Sequence, residues 1–283
     1  MVKQLKILVL VFIASLFIGT TFVKSSYAVT AGQVNIYDMV ESEWDYCANF
    51  KDSTGTGFRF EDERYSLDEQ IEVKVNATDN EAIEFTVTVG TETVEYYTSG
   101  LSFIGIYLLL SLPYLWVQGL ENHIETDAYL GLDFQKIFYI EPVIASEFFE
   151  LLTDDLYIAS EYSDDDSWTH NHVAGVFDTD SNIAEFTWYF DTRYKVGTDK
   201  TDLSGQYRLD IDYDQTTGLL HRYRIAMDYS GVYEYDDVEL KAIQEIELHD
   251  DNQNGLPGFS WLITLPAFAT LGLLSIIVRK KKR

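Results

Sequence analysis

Residues 207–227, YRLDIDYDQTTGLLHRYRIAM, contain the pattern that decides the fold. Large apolar side chains alternate with charged ones before the segment Gln215–Gly218, and the alternation resumes after it. One side of the predicted strands carries Tyr207, Leu209, Ile211, Tyr213, Leu219, Tyr223, Ile225 and Met227, and the other carries Arg208, Asp210, Asp212, Asp214, Arg222 and Arg224. A period of two is typical of strands with one buried face, and Gly218 can adopt the positive φ of a tight turn. The stretch therefore predicts an antiparallel hairpin.

The same alternation predicts further strands between residues 29 and 249. Their apolar faces are Trp44, Tyr46, Ala48 and Phe50; Ile71, Val73 and Val75; Ile83, Phe85, Val87 and Val89 with Val94 and Tyr96 beyond; and Ala184, Phe186, Trp188 and Phe190. The pair Asp79-Asn80 is good turn chemistry for a hairpin between the second and third of these. The run from Val238 to Leu248 fits either a last strand or a helix.

Residues 142–152 have helical spacing. Pro142 suits a first helical turn, and Ile144, Phe148, Leu151 and Leu152 recur at helical spacing. The predicted fold class is mainly β (α+β): a curved antiparallel sheet flanked by one or two helices.

Charge limits the classes of function. The chain has 20 Lys and Arg against 47 Asp and Glu, a net charge of −27. Eight of the basic residues lie in the two ends, and every carboxylate lies between Asp38 and Asp251. Such a body repels phosphates, which excludes nucleic-acid binding through a basic patch. The single cysteine, Cys47, excludes an intrachain disulfide framework and any site built from several cysteines.

Both ends of the chain read as targeting segments. A basic start, an apolar run from Ile7 to Val23 and the small residues around Ala28 predict a secretory signal peptide, residues 1–28. Near the other end, residues 260–278 carry no charge and are long enough to span a membrane. The basic tail RKKKR, residues 279–283, belongs on the cytoplasmic side, so the acidic part, residues 29–249, is expected outside the cell. Residues 250–259 are then a polar linker ending in Pro257, Gly258 and Phe259.

This C-terminal segment resembles the archaeal sorting signals in which Pro-Gly-Phe precedes an apolar helix and a basic end. With the signal peptide and the acidic, tyrosine-rich body, the chain resembles the archaeal choice-of-anchor surface proteins, with the choice-of-anchor S group as the specific candidate. The resemblance implies a location at the cell surface and, as in some relatives, recognition of Pro257-Gly258-Phe259 by a sortase-like enzyme that replaces the helix with lipid. It transfers no catalytic residue.

Residues 101–120, LSFIGIYLLLSLPYLWVQGL, pass without a charge. They fit a buried strand or helix of the core, or the apolar lining or lid of a cavity for a lipid-like ligand. A third membrane span is disfavoured because acidic residues flank both ends. For the cavity hypothesis the candidate ligand-binding residues are Phe103, Ile106, Tyr107, Leu110 and Trp116.

Metal binding has one candidate pair. In an extended strand, His170 and His172 would share a face with the spacing of two zinc or copper ligands. Residues 164–166 are three aspartates that could supply a carboxylate, but no third ligand is set by spacing. The alternative is that the two histidines lie at the edge of a loop and bind no metal.

Three further motifs have simple explanations. Asp210, Asp212 and Asp214 lack the glycine and distal glutamate of a calcium loop, so cross-strand pairing with Arg222 and Arg224 is expected instead. Residues 250–255 match only the first half of such a loop and are assigned to the linker. Asn76-Ala77-Thr78 is an N-glycosylation sequon, which makes Asn76 a predicted glycosylation site in an exported chain.

No nucleophile elbow, phosphate-binding loop or dinucleotide-binding motif is found. We therefore expect a membrane-anchored surface protein without catalytic residues or a cofactor, acting as a binding or envelope module that holds a hydrophobic ligand. The alternatives are an extracellular metal-dependent hydrolase led by His170 and His172, and a passive component of the surface coat.

Overall fold

The computed structural model describes residues 29–48, 51–61, 63–78, 82–97, 101–121, 135–162, 167–197 and 200–249. The predicted signal peptide, linker, Pro-Gly-Phe motif, membrane helix and basic tail lie outside these residues, as do Asp79-Asn80 and the aspartates 164–166. No helix among the described residues is both long and apolar enough to cross a membrane.

Twelve strands and four helices make up the described part of the chain. The first seven strands are β1 Val34–Ala48, β2 Lys51–Thr56, β3 Phe58–Phe60, β4 Glu63–Tyr65, β5 Ile71–Thr78, β6 Ile83–Val89 and β7 Glu92–Tyr97. The helices follow: α1 Leu101–Leu110, α2 Leu112–Glu121, α3 Pro142–Leu152 and α4 Asp155–Glu161. The last strands are β8 Trp168–Asp178, β9 Ile183–Val196, β10 Thr201–Asp214, β11 Leu220–Tyr233 and β12 Asp236–Leu248.

Ten of these strands form one antiparallel sheet. Its order is β7-β6-β5-β1-β12-β11-β10-β9-β8, with β2 paired to β1 beside this path, while β3 and β4 form a separate two-stranded ribbon. The first and last strands in sequence are therefore neighbours, with Tyr37 opposite Leu248 and Trp44 opposite Ala242. The prediction of a mainly β fold with an antiparallel sheet and few helices is confirmed.

The sheet has one apolar face, which we call the inner face, and one polar face, the outer face. The predicted inner residues of β9, β10 and β11 are buried, and the turn between β10 and β11 lies at Gln215–Gly218 as expected. The open choice at Val238–Leu248 is resolved as a strand, because β11 and β1 hydrogen-bond to its two edges. The hairpin of β5 and β6 and the extension into β7 are also present.

Helices cover the inner face. Residues 101–120 form α1 and α2, separated at Ser111, and their buried side chains belong to the same core as the sheet. The helix predicted at residues 142–152 is α3, with Pro142 as its first residue and the Glu141 carboxylate accepting a hydrogen bond from the Ile144 amide at 2.6 Å. The carboxylate of Asp154 caps α4 in the same way by accepting from the Leu156 and Tyr157 amides. Residues 101–120 are thus buried helices of the core rather than a strand, and their role as a lid over a ligand cavity stays a prediction.

Residues 135–140 run across the inner face and are held against the turn of β10 and β11. The Ile140 amide donates to the Gly218 carbonyl at 2.7 Å, and the Leu220 amide donates to the Phe138 carbonyl at 2.9 Å. Gly218 has a φ of +71°, and a Cβ on it would lie 1.9 Å from the Ile140 carbonyl oxygen. Only glycine satisfies both the turn and this close approach.

Replacement of Gly218 by alanine should therefore cost more stability than the same change at Gly197, which has the same φ of +71° but open space around the position of its Cβ. Gly197→Ala should cost about 1–2 kcal/mol, since only the left-handed conformation is penalised. Gly218→Ala adds a clash of about 1–3 kcal/mol. Thermal unfolding of the two variants, followed by circular dichroism, measures the difference, and equal melting temperatures would contradict the contact with Ile140.

Candidate functional site

The predicted ligand-binding residues lie in the layer formed by α1 and α2. Ile106, Leu110 and Trp116 are buried in the core, and Tyr107 is half-buried; the side chain of Phe103 lies outside the described part. The Trp116 ring packs on Tyr229 of β11 with centroids 5.5 Å apart, and the Tyr207 hydroxyl of β10 donates to the Leu109 carbonyl at 2.7 Å. The structure thus brings these residues onto the inner face, where they contact the sheet.

Two features of this layer are unusual for a finished core. Helix α1 has apolar residues on every side, and Leu108 on its far side is 38% exposed. The indole N–H groups of Trp116 and Trp188 are buried without an acceptor among the described residues. A buried donor without a partner costs about 1–3 kcal/mol, and a helix that is apolar all round is normally covered all round. Both features indicate room for an additional contact.

The two histidines of β8 lie on opposite faces of the sheet. A β-bulge between them makes Asn171 an extra residue, so that His170 is opposite Thr192 and His172 is opposite Asp191. His170 accordingly contacts Phe190 on the inner face, with ring centroids 5.3 Å apart, whereas His172 contacts Tyr189 on the outer face at 5.5 Å. The expectation that both imidazoles share a face is wrong, because a bulge reverses the side-chain alternation beyond it. Among the residues that the structure describes, no group of three His, Cys, Asp or Glu side chains could hold a metal ion.

His170 belongs instead to an aromatic cluster. Its Nε2 lies 3.0 Å from the Tyr114 hydroxyl of α2, and the rings around it belong to Tyr114, Tyr162, Trp168 and Phe190. These rings come from α2, β8, β9 and the end of α4, so no local pattern in the sequence joins them. The cluster connects the helical layer to the β8 edge of the sheet.

The outer face of β10–β12 carries a network of arginines and carboxylates. Arg222 Nε lies 3.0 Å from an Asp212 oxygen, and Arg224 Nε lies 3.1 Å from a Glu245 oxygen. Asp210 is nearly fully buried and accepts from Arg208 at 2.8–3.0 Å and from the Thr187 hydroxyl at 2.7 Å. The expected cross-strand pairing is confirmed for Arg222, which contacts Asp212 and lies 4.0 Å from Asp210, whereas Arg224 pairs with Glu245 and Glu41 instead. Arg208 was missed as a partner because it lies on the same strand as Asp210.

Asp214 departs from this pattern. Its carboxylate accepts hydrogen bonds from the Thr216 and Thr217 amides and from the Thr217 hydroxyl, at 2.6–2.9 Å. Burial raises the pKa of Asp214, but these hydrogen bonds outweigh it and hold the pKa below its usual value. Its role is therefore to shape the turn that follows β10.

The pKa of Asp212 is shifted in the opposite direction, above its usual value. Burial raises its pKa to about 6, the Arg222 guanidinium opposes that change, and the negative charges of Glu185, Asp210 and Glu245 add to it. Burial also raises the pKa of Glu245, against the opposing effect of Arg222 and Arg224. The network therefore holds more negative charge than its arginines neutralise.

The sequon residue Asn76 lies on β5 at a second bulge, between Val75 and Ala77. It is exposed, and its side-chain amide donates to the Thr86 hydroxyl at 2.6 Å. Glycosylation of Asn76 stays a prediction.

Two of the clefts on the described surface are lined by strands and loops and not by α1 or α2. The first, of about 550 Å³, lies on the outer face near the start of β1 and has four carboxylates among its lining residues: Ile36, Asp38, Leu67, Asp68, Glu69, Gln70, Glu72, Thr88 and Gly90. The second, of about 20 Å³, is lined by Trp44, Thr56, Gly57, Phe58, Arg59, Arg64 and Tyr65.

Comparison with protein-family models, with curated proteins and with solved structures finds no match for this chain.

The contributions of Asp212 and Asp214 to the stability of the fold should change in opposite directions as the pH rises. Between about pH 4, the ordinary aspartate pKa, and pH 6, folded Asp212 holds a proton that the unfolded chain has lost, so stability falls as pH rises through this range. Asp212→Asn removes the titrating carboxyl group and, with it, this fall in stability. The substitution should therefore raise the free energy of unfolding at pH 7 by about 1–2 kcal/mol, with little change near pH 4. Asp214→Asn should lower stability at pH 7, because its carboxylate stabilises the fold above its ordinary pKa and loses this effect as pH falls.

Urea unfolding between pH 3 and pH 8, followed by tryptophan fluorescence, tests both signs in one series. A destabilising Asp212→Asn at pH 7 would contradict the assigned environment of Asp212.

Proposed function

We propose that this chain is a membrane-anchored extracytoplasmic protein whose sheet domain is a non-enzymatic binding module. The main support is the pairing of the first and last strands. Because Tyr37 lies opposite Leu248, the chain enters β1 and leaves β12 at the same end of the sheet. The chain thus leaves the domain beside the point where it enters it, and the predicted membrane helix, residues 260–278, follows β12 in sequence.

The distribution of charge along the chain supports the proposal that the domain lies outside the cell. All 47 carboxylates lie between the two apolar segments, and five consecutive basic residues follow the second one. Basic residues are retained on the cytoplasmic side, so the acidic domain belongs outside. Strands β9–β12 have 13 or 14 residues each, which at about 3.3 Å per residue extends the sheet roughly 40 Å from its attached end. The far end presents the hairpin at Glu234-Tyr235.

Protease protection tests this topology. Protease added to intact cells should digest residues 29–249, while an epitope tag placed after Arg283 stays intact until the membrane is permeabilised. The reverse pattern, a protected domain and an exposed tag, would contradict the proposal.

The layer of α1 and α2 supports a hydrophobic ligand for the module. Leu108 leaves part of an all-apolar helix in contact with solvent, and the Trp116 indole N–H has no acceptor among the described residues. An apolar chain with a polar group such as an ester or carboxyl would supply both missing contacts. Trp116 packs on Tyr229 of the sheet, and Ile106 and Leu110 are buried, so a ligand reaches these residues only when α1 and α2 move. In this proposal the two helices are a cover over the inner face.

Photolabelling with a diazirine fatty acid tests the ligand. The full chain in its native membranes is irradiated, and labelled peptides are mapped by mass spectrometry. Residues 260–278 should be labelled as an internal reference for the anchor, and residues 101–121 should be labelled above other peptides of the domain. Leu108→Asp should reduce labelling of residues 101–121 about tenfold without changing that of the anchor, since a charge at this position disfavours apolar contact.

The matched control is Leu156→Asp. Leu156, on α4, is 82% exposed, so it offers an exposed leucine outside the proposed cover. Its substitution should leave the labelling pattern unchanged. Labelling of residues 101–121 no stronger than that of the strands would refute the hydrophobic ligand while leaving the anchor testable in the same data.

The metal-dependent hydrolase is the weaker proposal. It requires His170 and His172 to act together, and the bulge in β8 directs them to opposite faces.

A further inference from the structure

Strands β7 and β8 form the two ends of the large sheet, and they differ in charge. Strand β7, ETVEYY, carries two glutamates in six residues. Strand β8 has eleven residues, and the stretch WTHNHVAGVF that precedes its final Asp178 contains no Asp, Glu, Lys or Arg. Charged side chains are a common means of keeping a sheet edge from pairing with another chain. In a chain with 47 carboxylates, a long edge strand with almost no charge calls for an explanation.

The second half of β8 is open to another strand. Strand β9 pairs with one side of β8, and no other strand of the described part of the chain pairs with its opposite side. The bulge at Asn171 leaves His172–Asp178 as an unbroken run along β9. His172 and Val176 are exposed, and 62% of Val176 is accessible. The backbone N–H and C=O groups on the outer side of this run therefore form an edge that a further strand could extend.

A second copy of β8 fits this edge on the outer face of the sheet. In an antiparallel register centred on Gly175, Val176 lies opposite Ala174 of the second copy, and Asp178 lies opposite His172 of the second copy. All four of these side chains belong to the outer face, as their partners on β9 show. The imidazole of histidine donates a hydrogen bond in either charge state, so the carboxylate at this edge gains a donor. The exposed valine gains an apolar neighbour, and the strand is complementary to itself.

The inner side of the same register is apolar. Phe177 lies opposite Val173 of the second copy, and both side chains are half-buried and pack against the core. Gly175 lies opposite itself at the centre of the register. A Cβ on Gly175 would be 2.4 Å from the Leu152 carbonyl oxygen, so glycine lets the end of α3 approach the edge strand closely. Pairing with a second copy would therefore complete the burial of Val173 and Phe177 without a clash at the centre.

We propose that two copies of this chain associate through β8, edge to edge and antiparallel, so that their two sheets become one. Each copy has a net charge of −27, so two copies repel each other unless they meet where like charges are absent. Strand β8 offers such a place, whereas two copies of β7 would bring glutamates together. Antiparallel pairing reverses the direction of the second sheet, so the attached ends of the two copies lie at opposite ends of the pair. Together with the anchor proposed above, on which this last step rests, the pairing joins copies on facing membranes.

Analytical ultracentrifugation of the full chain in detergent micelles tests the pairing. In about 0.15 M sodium chloride, which screens the repulsion between acidic copies, the protein should form a dimer as its concentration rises. Val176→Lys should weaken the dimer about tenfold or more, because the two new ammonium groups would lie on neighbouring positions across the pair. Thr93→Lys, which adds the same charge at an exposed position of β7, is the matched control and should dimerise normally. Circular dichroism checks that both variants fold.

Cysteine cross-linking tests the register. The free Cys47 is first replaced by serine, and the Ala174→Cys and Val176→Cys variants of that protein are mixed and oxidised. A disulfide-linked dimer should form in the mixture and much less in either variant alone, since opposite Cβ atoms lie about 5 Å apart and diagonal ones about 7–8 Å. A monomer at all concentrations, a dimer that Val176→Lys leaves unchanged, or equal cross-linking with and without mixing would overturn the proposal.

Vesicles separate the pairing from the anchor. The full chain is reconstituted into phosphatidylcholine vesicles, where flotation of the protein with the lipid reports the anchor and light scattering reports clustering of the vesicles. Vesicles with the unaltered chain or with Thr93→Lys should cluster, and those with Val176→Lys should stay dispersed. Dispersed vesicles that carry a chain able to dimerise in micelles would refute contact between facing membranes. Protein that does not float would refute the anchor, while the micelle experiment still decides the pairing.

Discussion

The structure depends on covering one apolar face of a single antiparallel sheet. The inner face presents a continuous set of large side chains across nine adjacent strands, and the other sheet among the described residues is the short β3–β4 ribbon, whose Phe58 and Phe60 belong to the same core. Helices α1–α4 and the segment at residues 135–140 supply the missing layer, with Phe149 stacked on Phe186 at 4.1 Å and Phe138 packed on Tyr37 at 4.9 Å. Burial of apolar surface is the main favourable contribution to folding, so this layer is as necessary as the sheet itself. The proposed ligand cover is therefore also part of the core.

The outer face of the sheet carries an excess of negative charge. Three arginines on β10 and β11 pair with carboxylates from three strands, β1, β10 and β12, and Asp210 is buried. Because the carboxylates outnumber the arginines, burial and mutual repulsion raise the pKa of Asp212 to about 6. A local surplus of negative charge therefore sets the chemistry of the outer face.

Sheet order connects the fold to the proposed location. Strand β1 lies between β5 and β12, so the start and end of the domain meet at one end of the sheet although more than 200 residues separate them. A domain built this way can be attached at one end while its surfaces remain accessible. The helical cover does not involve the strand ends Val34 and Leu248, so it is compatible with an anchor there.

The sequence alone determined the strands of β5, β6 and β9–β11, the inner and outer faces of each, the turn at Gly218 and the helix α3, because alternation, helical spacing and turn chemistry are local properties. It left Val238–Leu248 undecided, since only the hydrogen bonds from β1 and β11 make that run a strand. It placed His170 and His172 on one face, because a bulge is set by pairing with β9 and leaves no local pattern. Among the candidate sites, residues 101–120 stood out by composition, but whether they line a cavity or cover a sheet is decided by what they pack against. The aromatic cluster around His170 likewise exists only in the tertiary structure, because packing brings together residues that are distant in the chain.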